Sequence, residues 1–310
     1  MTGRVVALDV GGTAMKGAIV GPDGRACGRL RRPTPRDRGP DAVLDSVGAT
    51  LDLLLADARQ RRLEVAAVGV VVPGIVDDDR GVVVFSANLG WRDLPVRGLL
   101  QARTGLPVGF GHDVRAGALA EATFGAARDV RDVLFLPVGA GVAGAALVDG
   151  RLLVADGYAG EIGHLSVDPA GDPCSCGGRG CVETMASGTA IARRYATRTG
   201  QRVEGAAVVA ARAREGDPDA VAVWDEAVAA LAHGLTAAVA LLAPQLIVVG
   251  GGLAGSGDLL LRPLSEMLLA RLSPRSARMP RLVRAALGDQ AACLGAALLA
   301  RRALGPGACP

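Results

Sequence analysis

Short apolar runs alternate along the chain with longer stretches in which apolar residues recur every three to four positions. Val5-Val6-Ala7-Leu8-Asp9-Val10 predicts a buried strand, Gly11-Gly12-Thr13 a turn, and Ala14 to Val20 a return strand. Val43, Leu44, Val47, Leu51, Leu54 and Leu55 mark one helix over Asp41–Arg62. Strands follow at Val65–Val72, ending at Pro73-Gly74, and at Pro107–Phe110, with a loop at Asn88-Leu89-Gly90-Trp91 and a short helix over Leu94–Thr104 between them. Gly111-His112-Asp113 then leads into a helix over Val114–Ala126. Strand, small-residue turn and strand recur from Val133 to Val148. Helical spacing dominates after that, over Met185–Thr199, Glu204–Glu215 and Pro218–Leu242. A strand over Pro244–Val249, a helix over Leu259–Leu272 and an Ala-rich helix opened by Gly288-Asp289-Gln290 complete the pattern, and Gly305–Pro310 reads as a disordered tail.

The two hairpins share a chemical logic. In the first, Gly11 and Gly12 let backbone N–H groups approach an anion and Thr13 adds a hydroxyl donor. Asp9 is suited to a hydrated magnesium ion and Lys16 to offsetting phosphate charge. The turn is not a P-loop, which needs Gly-Lys-Ser/Thr at a helix start. In the second, Gly139, Ala140 and Gly141 offer a similar turn, and Gly250-Gly251-Gly252 makes a third small-residue loop where a nucleotide base or ribose fits flat. Two such hairpins suggest a duplicated lobe. Between them Asp113 sits where a strand meets a helix, the position at which open α/β sheets place their chemistry. From the residues alone it fits a helix cap as well as an acid–base group.

Gly160-Glu161-Ile162-Gly163-His164 followed by Cys174-Ser175-Cys176-Gly177-Gly178-Arg179-Gly180-Cys181-Val182-Glu183 carries the densest chemistry. Three thiols within eight residues, out of six in the chain, are more than small buried residues require. With His164 they form an N/S set that zinc prefers, and four protein ligands make the site structural. Glu161 and Glu183 flank the ligands and read as substrate-facing groups held in place by the metal.

Composition narrows the class. With 310 residues, half of them hydrophobic, the chain can form two lobes of ordinary size. A net charge of +3 with scattered arginines, and Lys16 as the single lysine, argues against a nucleic-acid or membrane surface. The apolar stretch Ala227–Ala243 reads as a buried helix. The N-terminus has no signal-peptide pattern, so a cytoplasmic location is expected. There, clustered cysteines favour metal over disulfides, while Cys27, Cys293 and Cys309 stand alone.

In order and content these motifs resemble the ROK family of sugar kinases and related repressors. The matching pieces are Leu8–Thr13, Asn88–Trp91, the Asp113 helix, Gly160–His164, the Cys174–Glu183 knot and Gly250–Gly252. The resemblance implies an α/β, two-lobed fold of the actin-like ATPase (ribonuclease H-like) type with a cleft between the lobes. It places a small lobe at residues 1–112, completed by a helix over 289–304, and a larger one at 113–288. It implies transfer of phosphate from MgATP to a hexose hydroxyl, most often O6 of glucose, and a homo-oligomer, dimer or tetramer. It makes Asp113 the general base and assigns sugar hydroxyls to Asn88, Asp113, Glu161, His164 and Glu183. His164 would then use one ring nitrogen for zinc and the other for sugar.

This chain departs from the family pattern at His112, where the kinases carry Asn, and at Ala140, Ala143 and Ala145, which replace a Thr and two glycines. A changed sugar contact, and a weaker hold on ATP or the use of a different phosphoryl donor, are the expected consequences. The alternatives are an amino-sugar kinase acting on N-acetylmannosamine or 3-amino-3-deoxyglucose, and a sugar-binding protein without catalysis. A sugar-responsive repressor is not expected, because only eight residues precede Asp9 and a winged helix-turn-helix needs several tens.

Overall fold

The computed structural model describes residues 3–272 and 279–305. Cys309 and the expected tail beyond Gly305 lie outside the described residues. The described chain divides into two compact units. The first comprises residues 3–124, 154–158 and 289–305, and the second residues 125–153, 159–272 and 279–288.

In the first unit β1 (Arg4–Val10), β2 (Ala14–Val20) and β3 (Ala26–Pro33) form an antiparallel meander. α1 (Pro40–Gln60) follows, and then β4 (Val65–Val72), which is parallel to β1. A small antiparallel sheet of β5 (Ile75–Asp77), β6 (Val82–Ser86) and β7 (Trp91–Leu94) precedes α2 (Val96–Thr104). β8 (Val108–His112) completes the main sheet in the order β3-β2-β1-β4-β8 and runs directly into α3 (Asp113–Phe124). β4 is wholly apolar, with five valines among its eight residues, because it is an interior strand covered on both faces. Leu51 and Leu54 of α1 pack into one core with Val6, Leu8 and Val70.

α3 belongs to this unit, so the boundary expected at residue 113 shifts to the end of the helix. The cause is close packing. The C-terminal helix Ala291–Arg302 lies directly on the sheet at Gly69 and Gly109 and against α3 at Gly295. A Cβ at any of these three glycines would overlap a backbone atom of Ala296, Leu299 or Ala116.

The second unit repeats the sheet plan. β9 (Val133–Pro137), β10 (Ala145–Val148) and β11 (Arg151–Leu152) form the meander. After α4 (Val182–Ala186), α5 (Gly188–Thr199), α6 (Ala206–Arg214) and α7 (Pro218–Leu242), β12 (Leu246–Gly250) adds parallel to β9. α8 (Asp258–Arg271) and then β13 (Arg281–Arg284) complete the order β11-β10-β9-β12-β13. The helix expected over Met185–Thr199 is two helices. Ser187 interrupts it by accepting the Ala190 N–H at 3.1 Å, which makes it the cap of a new helix. α7 is long and apolar enough to cross a membrane, and it buries Val223, Trp224, Leu231 and Leu235 in the core of its unit.

Candidate active site and metal centre

In the first unit the short turn between β1 and β2 is held from outside. Thr34 donates its hydroxyl to the Gly11 carbonyl at 2.6 Å and its N–H to the Thr13 carbonyl at 3.0 Å. Asp9 and Lys16 are cross-strand partners in the register of the hairpin. Burial pushes the Asp9 carboxyl up to about 7, and the negative charge of Asp113 adds to the effect while Lys16 opposes it. Lys16 also reaches Asp289 at 3.7 Å. Gly12 lies beside Asn88, so close that a Cβ on it would stand 3.2 Å from the Asn88 Cβ. The structure thus gathers Asp9, Gly12, Lys16, Asn88 and Asp113 in one unit.

Asp113 opens α3 directly from the end of β8. Its Oδ1 accepts the Val114 N–H at 2.7 Å, and His112 Nε2 stands 3.3 Å from the same oxygen. Two residues on, Arg115 is fully buried. It donates to the carbonyls of Val76 (3.1 Å) and Gly157 (3.3 Å) and to Asp78 Oδ1 (3.0 Å). Arg115 therefore ties the start of α3 to β5, to the turn after it and to the 154–158 segment. A buried charge with several acceptors is costly to break. Sequence reasoning missed this anchor, although an arginine in the first turn of an alanine-rich helix was a visible signal.

In the second unit His164, Cys174, Cys176 and Cys181 bring one ligand atom each to within 4.8 Å of one another. Cys176 Sγ and Cys181 Sγ are 3.7 Å apart, and Cys174 Sγ is 3.5 Å from His164 Nδ1. A tetrahedral zinc site has edges of about 3.8 Å between sulfurs and about 3.5 Å between nitrogen and sulfur, given Zn–S near 2.3 Å and Zn–N near 2.0–2.1 Å. The set fits zinc. The Gly178 N–H lowers the Cys176 thiol, while burial pushes Cys181 up to about 12, a proton that a divalent ion would displace. His164 turns Nδ1 to the sulfurs and Nε2 to Glu161, whose carboxylate is 3.6 Å away. Asp172, in the same loop, pairs with Arg193 of α5 at 2.9 Å.

The loop between β9 and β10 takes its supports from elsewhere in the unit. Glu183, in the first turn of α4, accepts the Val142 N–H at 2.8 Å. Gly188 donates to the Gly139 carbonyl at 2.7 Å, and Gly144 to the Gly160 carbonyl at 2.8 Å. Gly251 holds a positive φ of 74° hard against the Val138 carbonyl, a place only glycine fits, which brings the 250–252 loop alongside the 139–141 loop. Gly139, Ala140 and Gly252 line one cavity of about 520 Å³ with Thr189, Glu204 and Ser256. That volume lies in the range of small-molecule sites, roughly 300–1,000 Å³. Thr189 and Glu204 were not anticipated. The Ser187-Gly188-Thr189 interruption of a helical pattern was the available clue.

Two sheets of the same plan, each with a glycine-rich turn after its first strand, and a Cys/His loop in the second define an α/β protein of the actin-like ATPase fold. Residues 5–303 match the ROK family, and the chain belongs to it. A glucokinase from Thermotoga maritima is 31% identical over 317 positions, covering 97% of this chain and 98% of that protein. An N-acetylmannosamine kinase from Citrobacter koseri is 34% identical over 303 positions, 96% of this chain and 98% of that protein. Among solved structures, a ROK family glucokinase from Streptomyces griseus in complex with glucose and AMPPNP matches with a TM-score of 0.82. It is 31% identical, and the match covers 97% of this chain and 100% of that one.

Proposed function

We propose that the protein is an ATP-dependent hexose kinase that phosphorylates the 6-hydroxyl of glucose. The observation that carries the reading is the end-to-end likeness to a glucokinase solved in complex with glucose and an ATP analogue, in a chain that carries Asp113, the Gly11–Thr13 and Gly250–Gly252 loops and the Cys/His loop.

In this reading Asp113 is the general base. The sugar oxygen forms a bond to the γ-phosphorus, the bond to the bridging oxygen of ADP breaks, and the hydroxyl proton passes to the Asp113 carboxylate. Asn88, Glu161, His164 and Glu183, together with Asp113, take the sugar hydroxyls as paired donors and acceptors. Backbone N–H groups at Gly12 and Thr13 and at Ala140 and Gly141 face the phosphates, with Lys16 adding positive charge, while the N–H groups of Gly11 and Gly139 shape the two turns by donating to the Ala14 carbonyl at 3.1 Å and the Gly141 carbonyl at 2.9 Å. The cavity bounded by Gly139, Ala140 and Gly252 takes the nucleoside, along the loop of Gly250 and Gly251. Magnesium bound with the nucleotide supplies charge neutralisation, and Asp9 is the carboxylate placed to hold its water shell. His164, Cys174, Cys176 and Cys181 would hold a structural zinc ion, and their ligation would keep Glu161 and His164 in place. We place the enzyme in the cytoplasm as a homo-oligomer.

A second reading, phosphorylation of N-acetylmannosamine, is favoured by the relative that is 34% identical over nearly the full chain. ADP release measured over a panel of hexoses and amino sugars decides between them. Glucose is expected to give the highest kcat/KM; a maximum on N-acetylmannosamine moves the assignment to the second reading, and no ADP release with any sugar overturns both. Asp113→Asn keeps the shape but removes the base, so turnover should fall by about 10²-fold or more.

A further inference from the structure

The carboxylate assigned as general base is held on one oxygen only. Asp113 Oδ1 accepts the Val114 N–H at 2.7 Å and has His112 Nε2 at 3.3 Å. The imidazole is itself fixed by the backbone, because the Arg115 N–H donates to His112 Nδ1 at 3.4 Å. A ring nitrogen that accepts a hydrogen bond carries no proton, so the neutral ring bears its proton on Nε2, the atom that faces Asp113. His112 closes β8, where it pairs with Val72 of β4, and its side chain is 11% exposed. Arg115 is in turn anchored by Val76, Asp78 and Gly157. A rigid backbone thus holds a ring whose Nε2 stands in contact with Oδ1 at 3.3 Å, close to it but not aligned as a full hydrogen bond.

We propose that His112 is a positioning residue for Asp113: it occupies Oδ1 and leaves Oδ2 to receive the proton of the acceptor hydroxyl. The proposal rests on the reading of Asp113 as base. It gives the histidine, which replaces the family's asparagine, a role that asparagine fills differently. The Asn amide is shorter and its nitrogen does not reach the place of Nε2, whereas the amide nitrogen of a glutamine does. His112 therefore acts on turnover through Asp113 and contributes little to holding sugar. Misplacement of a reacting group by an ångström costs up to about 100-fold in rate, so loss of one of two supports should cost roughly 10-fold.

The test is a double-mutant cycle on the full-length enzyme with glucose and MgATP. His112→Phe keeps a ring without nitrogens and should lower kcat roughly 10-fold, with sugar KM nearly unchanged and thermal unfolding near the parent. His112→Ala replaces it if the Phe protein does not fold. His112→Gln should recover most of the loss. In the Asp113→Asn background, His112→Phe should add little further loss, because the two residues act as one unit. A rise in sugar KM at constant kcat would make His112 a sugar ligand and overturn the proposal. So would a Gln protein as slow as Phe, or losses that multiply in the double variant. Should Asp113→Asn alone retain parent turnover, the base assignment fails first, and that result is separate from an Asp113-dependent enzyme indifferent to His112.

Discussion

In the first unit the sheet runs β3-β2-β1-β4-β8 and in the second β11-β10-β9-β12-β13, and each opens with a hairpin whose turn is made of small residues. The first turn is three residues long and brings its own charge, with Asp9 and Lys16 opposite one another on the strands that flank it. The second spans Val138–Gly144, holds no charged side chain, and receives a carboxylate from Glu183, forty-one residues further along the chain. The same scaffold thus meets the same need in two ways. One turn takes its charge from the strands that flank it; the other takes its carboxylate from the helix that directly follows a Cys/His loop. Damage to the Cys/His loop should therefore reach the second turn and spare the first.

The largest effect is expected from that dependence. Elemental analysis of the parent should find about one zinc equivalent; Cys176→Ala should abolish it and weaken sugar binding on the order of 100-fold, as Glu161 and His164 lose their frame. A metal-free protein that binds sugar at full affinity would dissociate the two. Next comes Asp9. Its carboxyl is pushed up to about 7 from an ordinary 3.8, so the folded state keeps a proton that the unfolded chain gives up. Stability should fall as pH rises from about 4 to 7 and level off above, by on the order of a few kcal/mol. Asp9→Asn is neutral throughout and lacks this slope. Thermal unfolding without nucleotide or magnesium should find the variant gaining on the parent between pH 5.5 and pH 8. Parallel curves would mean that Asp9 is not protonated in the free protein.

A cleaner probe of the second unit is Gly252→Val. No atom lies within 4 Å of a Cβ at Gly252, so the new side chain projects into the cavity without straining the fold. The KM for ATP should rise roughly 10-fold, with sugar affinity and melting temperature unchanged. Loss of the fold would show that the loop is structural instead. The smallest effect is reserved for Ala140→Thr, which restores a hydroxyl to the bare turn. A decrease in the KM for ATP of about threefold is expected from one added hydrogen bond, and a clear increase would show that this turn does not face the nucleotide.

Much of this was visible in the residues. Three thiols and an imidazole at fixed spacing are a local signal, and they converge as expected. The buried runs of β1, β4 and β12 and the long periodic helices α1 and α7 are local signals too, read from one stretch at a time. β3 was missed because it is arginine-rich, with exposed and half-buried positions along its whole length, which suits a sheet edge and resembles a loop. The small sheet of β5, β6 and β7 was missed for its short strands, and Leu94, taken as the start of a helix, ends β7. The Arg115–Asp78 pair and the membership of α3 in the first unit depend on packing between distant segments, which no single stretch encodes.

The glycine-fitted helix Ala291–Arg302 carries a consequence for synthesis. It covers the face of the first sheet at Gly69 and Gly109, yet it leaves the ribosome after the whole second unit. The nascent chain must carry an uncovered apolar sheet through the making of about half its length, while the second unit, whose segments emerge consecutively apart from residues 154–158, folds first. A ribosome stalled with residue 288 just clear of its exit tunnel would therefore display a completed second unit tethered to a first one whose sheet face is still open.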